Sequence, residues 1–458
     1  MKIRTLFGLG FLLLVLSCQL NSSSNNKHNQ PKKITKISSE PIVTLNNILA
    51  QAIIQDGFTP PVASRVYTYP NIAAYEALRF IDKNYQSFAN ELNGLKPIHY
   101  SLETKEISPM IVVSTSFSEV AKELVYSPHI IDNGRDSLAR YYERNNNQKI
   151  IEHSKKLGRK VAKHIINWMK TDGYSTTRNM PKYQIDEDDS SSWKPTPPTY
   201  GEAIEPHWDK LRPFILDSAD QFAPPPPPKF CTDTSSKFYK DAYNVYKTGK
   251  NLNDSLYTIA KFWDCNPMTT TQVGHMTYVK RQLTPGGHWI KITQNACTKS
   301  GLNLIEASEA LVIVAVTVAD AFISSWDAKY RSDLVRPGTY IRKYIDKNWE
   351  PVLETPLFPE YTSAHSVVSF ASAKVLTKIF GKNYSYVDDA EEFIGLEPKK
   401  FKSFKEAAKM AAISRLYGGI HYMPAIKHGK KQGTRIGNWV WKQINQNHKL
   451  LSQQDYSR

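Results

Sequence analysis

Apolar residues recur at three- and four-residue intervals from Ile42 to Ile54, Val62 to Phe80, Ile150 to Met169, Leu304 to Trp326, Ser363 to Phe380, Phe404 to Tyr417 and Ala425 to Ile444. That spacing lines one face of an α-helix, whereas a half-buried strand alternates every second residue, and such alternation is scarce here. The pattern predicts an all-α fold, a helical bundle. Leu311 to Val318 is apolar all round, which places its helix at the centre of the bundle. Glu306, Glu309 and Asp320 bracket that run closely, so it reads as too short to cross a bilayer.

Two stretches depart from the helical pattern. From Thr171 to Phe230 it gives way to Ser, Thr, Pro and acidic residues, ending in the run Pro224 to Pro228. A segment of that length reads as a surface excursion or an active-site lid, its prolines forming a stiff strut along the bundle. Within it, Asp186-Glu187-Asp188-Asp189 lacks the ligand spacing of a calcium loop and reads as a solvated acidic turn. At the N-terminus Lys2 and Arg4 precede an apolar run from Leu6 to Leu16, the pattern of a secretory signal peptide over residues 1–17. Val15-Leu16-Ser17-Cys18 resembles a bacterial lipobox, which implies cleavage before Cys18 and a lipid anchor on it. Residues 18–40 then form a flexible tether, and the protein is expected in the cell envelope, held on the membrane and facing the periplasm or the exterior. The rest divides into an N-terminal helical part, residues 41–298 with the long loop 171–230, and a catalytic helical core, residues 299–446.

Composition narrows the class. With 458 residues, 41% of them hydrophobic, the chain can bury a large core and is not disordered. A mean hydropathy of -0.46 excludes a polytopic membrane protein. The net charge of +16 raises the question of nucleic acid, but the Lys and Arg residues are spread without a zinc finger, aromatic sheet motif or basic helix to organise them. What such a charge does is concentrate small anions near the surface. Removing the signal leaves Cys231, Cys265 and Cys297, an odd number without C-x-x-C spacing, so neither a zinc knuckle nor a redox motif is expected and packing is their role. Structural roles are likewise expected for His275 and His288, and without an H-E-x-x-H motif no zinc hydrolase is predicted.

The chemistry concentrates in the last third. Lys329 and Arg336 are seven residues apart, so a single helix ended by Pro337 would present both on one face, where they could converge on one anion. Ser363-Ala364-His365 follows, with Ser363 a good N-cap and His365 in the first turn, where free N–H groups and the helix dipole favour an anion. Then comes Ser414-Arg415, with Gly418 and Gly419 breaking the helix so that His421 can turn towards Arg415. Fragments recur at Ser64-Arg65, Ser127-Pro128-His129 and Arg212-Pro213, but only residues 329 to 421 carry all the parts in order.

That ordered set, Lys-x6-Arg-Pro, Ser-Ala-His and Ser-Arg-x5-His, resembles the vanadium haloperoxidase and type 2 phosphatidic acid phosphatase superfamily. The length and the helical N-terminal half resemble its haloperoxidase-like branch. The resemblance implies that Lys329, Arg336, Ser363, the Ala364 N–H and Arg415 clamp a phosphate or vanadate. It makes His421 the covalent or metal-coordinating ligand and His365 the acid–base residue. Trp326 and Phe358 match aromatic residues of the halide pocket. Two positions differ from the usual pattern: Ala364 replaces a glycine, which would cost strain if the site needs a positive φ, and Ala425 replaces an aspartate, so that another group such as a backbone carbonyl must orient His421. The leading expectation is a vanadate-dependent peroxidase acting on halide and hydrogen peroxide. A phosphate-ester hydrolase working through phospho-His421 without a cofactor, and a non-catalytic anion-binding lipoprotein, are the alternatives.

Overall fold

The apolar run Leu311–Val318 lies inside a 29-residue helix, α10 (Leu304–Ser332), which starts at a capping box formed by Asn303 and Glu306. The helix is long and apolar enough to cross a membrane, more than its bracketing acids predicted, but its most apolar window is wholly buried inside the protein. This is a computed structural model, and it describes residues 37–444 apart from 102–105, 268 and 274. The signal peptide, Cys18 and most of the tether therefore lie outside the described residues. The last tether residues do not hang free: Ile37 is buried, and its carbonyl accepts from Leu304 N at 2.8 Å.

Before α10 come α1 (Glu40–Asp56), α2 (Pro60–Leu78), α3 (Pro109–Lys122), α4 (Pro128–Glu143), α5 (Gln148–Met169), the one-turn α6 (Tyr174–Thr177), α7 (Lys237–Lys250), α8 (Asp254–Phe262) and α9 (Pro285–Lys299). After it come α11 (Pro337–Tyr344), α12 (Ala364–Phe380), α13 (Phe404–Tyr417) and α14 (Met423–Ile444). Two small antiparallel hairpins interrupt them, β1 (Thr269–Val273) with β2 (Met276–Lys280) and β3 (Tyr386–Asp388) with β4 (Lys399–Phe401). The all-α expectation holds, with every helix foreseen from periodicity present.

Helices α2, α9, α12 and α14 pack directly on α10, while α3 joins α2 to α5. One hydrophobic cluster runs from Ile37 to Ile444 and crosses both halves of the chain. Helices α12 and α14 approach closely. A Cβ placed on Gly433 would lie 2.0 Å from the Val367 carbonyl oxygen, and one on Gly437 would lie 2.6 Å from that of Ala371. Small residues one turn apart let the backbones touch, which fixes the N-terminus of α12 against α14.

The long segment 171–230 is held at its middle and its ends. Phe214, Ile215 and Leu216 donate their backbone N–H groups to the buried Asp320 carboxylate of α10 at 2.6, 2.8 and 3.0 Å. Ile204 N donates to Leu357 O at 2.9 Å, and the Ile204 carbonyl accepts from Trp326 Nε1 at 3.2 Å. Near its end, the Pro225 carbonyl accepts from the Tyr361 hydroxyl. The segment is thus a fixed wall rather than an unattached excursion. The acidic turn at Asp186 to Asp189 is exposed and its carboxylates cap their own backbone, as expected of a solvated turn.

Candidate active site

Lys329 stands in the last turns of α10, fully buried, and its ammonium donates to the carbonyls of Pro359, Glu360 and Thr362 at 3.1, 3.2 and 2.6 Å. Arg336 does not share that helix, contrary to the expectation from the seven-residue spacing. Asp333 takes a left-handed φ of 45° and ends α10, and Arg336 becomes the N-cap of α11, with Pro337 as its first residue. The two cations converge through the segment 358–362 instead. Arg336 donates to Phe358 O at 2.9 Å, Pro359 O at 3.3 Å and Ile420 O at 3.0 Å, and its Nη1 lies 3.2 Å from His421 Nε2.

Arg415, in the last turn of α13, reaches the end of α8 and the chain after it, donating to Ala260 O at 3.4 Å, Asp264 O at 3.3 Å and the Trp263 carbonyl. Of the glycine pair, Gly419 breaks the helix as expected, while Gly418 caps it in a right-handed conformation. Gly419 has φ 75°, and a Cβ there would come within 3.1 Å of Pro351 Cα, so the turn that presents His421 requires glycine.

Ser363 caps α12, its hydroxyl oxygen accepting from Ser366 N at 3.3 Å and from Ser366 Oγ at 3.1 Å, which leaves its own proton free to donate. Ala364 is the first residue of α12 and has no positive φ, so alanine carries no strain there and the strain expected from the missing glycine is absent. Its N–H is one of the free donors of a helix start.

His421 is oriented by a carboxylate, not by the backbone carbonyl offered as an expectation. Its Nδ1–H donates to Glu360 Oε1 at 2.8 Å, and the same oxygen accepts from Tyr422 N at 2.9 Å. Glu360 therefore takes the place left by Ala425. Holding the proton on Nδ1 leaves the Nε2 lone pair facing Arg336, the form needed of a nucleophile or ligand. Glu360 lay within the motif segment, yet nothing in its spacing linked it to a histidine 61 positions later.

The charge balance is unusual. Lys329, Arg336 and Arg415 are all buried, and among the described residues none of them forms an ion pair; their donors meet carbonyl oxygens. Burial pulls all three below their ordinary values, Arg336 to about 10 and Lys329 far down, with Arg336 adding to the shift of Lys329. The same burial raises Glu360 to about 7, against the pull of Arg336 and Lys329. Burial and the surrounding cations push His421 and His365 well below the usual imidazole range, so both are neutral. Three buried cations beside a single carboxylate at Glu360 make the cluster suited to an anion.

A cavity of about 190 Å³ opens onto the cluster. Ala364, His365, Arg415 and His421 line it on the polar side, Trp326 and Phe358 on the apolar side. The two rings are 4.9 Å apart, and Lys329 Nζ lies 4.9 Å from the Phe358 ring centre. His365 Nε2 is buried and has no hydrogen-bond partner among the described residues. The structure thus brings Lys329, Arg336, Ser363, Ala364, His365, Arg415 and His421 into one site with the aromatic pair beside it.

A comparison with family descriptions matches residues 343–449 to the VCPO second helical-bundle domain. Among solved structures, the first bacterial vanadium-dependent iodoperoxidase is 45% identical, with a TM-score of 0.84, and the match covers 89% of this chain and 97% of that one. The chain belongs to the vanadium haloperoxidase family. A holo-type bacterial vanadium-dependent chloroperoxidase shares the fold at 15% identity, with a TM-score of 0.62 over 86% of this chain and 96% of that one. A comparison with curated proteins returns no match. For a vanadium haloperoxidase the donor set is suitable: three cations, a helix-start N–H, a hydroxyl and an imidazole lone pair suit a tetrahedral vanadate, and the buried, unpartnered His365 Nε2 marks a polar position left for a ligand or its oxygen.

Proposed function

We propose that this haloperoxidase oxidises iodide with hydrogen peroxide at a vanadate ligated by His421. The carrying observation is the trio of buried cations, none of which forms an ion pair within 4 Å among the described residues. The iodoperoxidase at 45% identity supports the choice of halide. Vanadate, when bound, supplies Lewis-acid activation of peroxide. Everything else falls to the chain.

Lys329, Arg336 and Arg415 hold the oxyanion and stabilise charge spread over its oxygens in a water-poor site. Ser363 and the Ala364 N–H add directed donors. Glu360 keeps the His421 proton on Nδ1, so Nε2 remains the ligating atom. His365 handles the proton that the reaction consumes: iodide gives up an electron pair, the peroxide O–O bond breaks, and I⁻, H₂O₂ and H⁺ become HOI and H₂O. Trp326 and Phe358 offer a polarisable apolar wall for a large, weakly hydrated halide. The lipobox-like sequence ending at Cys18 supports a lipid-anchored enzyme facing the outside of the cytoplasmic compartment.

The test is a paired assay on vanadate-free protein. Iodide oxidation should appear only when vanadate and peroxide are both added, with no hydrolysis of a phosphate monoester. Ester hydrolysis that vanadate blocks, with no iodide oxidation, would replace this reading with the phosphatase.

A further inference from the structure

A second cluster lies beside the cleft and outside the three motifs. Cys265 follows α8 and lines the cavity, His288 is in the first turn of α9, and Glu391 follows β3. All three are buried. Cys265 Sγ is 3.5 Å from His288 Nδ1 and 3.8 Å from Glu391 Oε1, and Nδ1 is 3.2 Å from Oε1. Three ligands of a tetrahedral zinc ion, at about 2.3 Å for sulfur and about 2.1 Å for nitrogen and oxygen, sit about 3.6 Å apart where sulfur is involved and about 3.4 Å apart otherwise. The observed triangle has those proportions.

The partners of the triangle also fit an ion. His288 Nε2 lies 2.8 Å from Asp388 Oδ2, and Ala390 N fixes the other Asp388 oxygen at 3.2 Å. A proton on Nε2 serves that carboxylate, and with Glu391 Oε1 facing Nδ1 the ring carries a second proton there, the position that a zinc ion would take over. A carboxylate on the remote nitrogen is also what a metal-bound histidine normally has. Glu391 Oε2 is buried and has no hydrogen-bond partner among the described residues.

We propose that Cys265, His288 and Glu391 bind one zinc ion, with Asp388 orienting His288 from behind. Thiolate, imidazole and carboxylate together select zinc over magnesium or calcium, and zinc is inert to peroxide as a redox partner. Binding releases the Cys265 thiol proton and the His288 Nδ1 proton to solvent, so affinity falls in acid. The ion would have a structural use. The Trp263 ring stacks on the His288 ring at 4.4 Å, and the Trp263 and Asp264 carbonyls hold Arg415, so fixing Cys265 fixes the strand of chain that positions one cation of the oxyanion clamp. No C-x-x-C spacing announced the site because its ligands come from three separate segments.

The test uses full-length protein purified without strong chelator and dialysed against a weak one. Elemental analysis should find about one zinc per chain. After exchange with cobalt(II), a near-ultraviolet thiolate-to-cobalt charge-transfer band should appear, persist in Cys231→Ser and vanish in Cys265→Ser. Because Cys265→Ser can fail to fold, Glu391→Gln is measured beside it and should lower zinc retention at least tenfold. Wild-type protein that retains no zinc and gives no cobalt band overturns the proposal, as does a band that survives Cys265→Ser.

Discussion

At His365 burial and charge decide the chemistry. Desolvation, followed by the nearby Arg415, holds the empty-site imidazole neutral at neutral pH. An anion placed in the site raises that pKa, so binding takes up a proton, and by linkage affinity strengthens as pH falls through the bound-state pKa and levels off below the free-state one. Vanadate affinity should therefore tighten by up to about tenfold per pH unit across that window, and His365→Gln should lose this part of the dependence. Titrating both proteins side by side cancels the titration of vanadate itself; equal slopes would remove His365 from the proton account. The residues of this site were legible to different degrees. Lys329, Arg336, Ser363, His365, Arg415 and His421 carry rare chemistry in a fixed order, so the sequence reveals them. Glu360 and the Cys265 cluster depend on contacts between distant segments, which no spacing encodes.

At the scale of elements, long amphipathic helices were legible because their periodicity persists over several turns. Not all were foreseen: α3, α4, α7 and α9, of 14, 16, 14 and 15 residues, were not, and neither were α8 with nine residues or β3 and β4 with three each, the last three too short for a period to declare itself. The break between α10 and α11 was missed because Asp333, a residue without a glycine's freedom, adopts the left-handed turn. The α12–α14 contact makes the sharpest element-level prediction. In an open helix Gly→Ala gains about 1 kcal/mol of helix propensity. At Gly433 the new Cβ would meet a backbone oxygen at 2.0 Å, which only separation of the helices can relieve. Overpacking of that kind costs about 1–3 kcal/mol, and with backbone as the obstacle the upper end applies, so the clash wins. Gly433→Ala should lower the urea midpoint and weaken vanadate binding, because Ser363 and Ala364 begin α12; a more stable variant with unchanged binding would contradict the packing account.

On the scale of the whole molecule, the +16 charge and the buried cation cluster act in the same sense, gathering small anions towards a cleft walled by α10, α12, α13 and the pinned segment 171–230. The membrane attachment expected at Cys18 precedes that body, on which the described end of the tether packs through Ile37 and through a bridge from Ser38 to Asn303. Acyl chains contribute about 0.8 kcal/mol per buried CH₂, so two or more hold a protein firmly. Cys18→Ala should move the protein from the membrane fraction to the soluble fraction with iodide oxidation intact; complete retention after signal cleavage would refute the anchor.

The central claim is that His421 Nε2 ligates vanadate inside a cradle of three buried cations. Vanadium K-edge X-ray absorption on the reconstituted protein tests it most directly. The account predicts one nitrogen scatterer at bonding distance that His421→Ala abolishes, together with iodide oxidation, while His365→Ala keeps it. A vanadium spectrum unchanged by His421→Ala would contradict it.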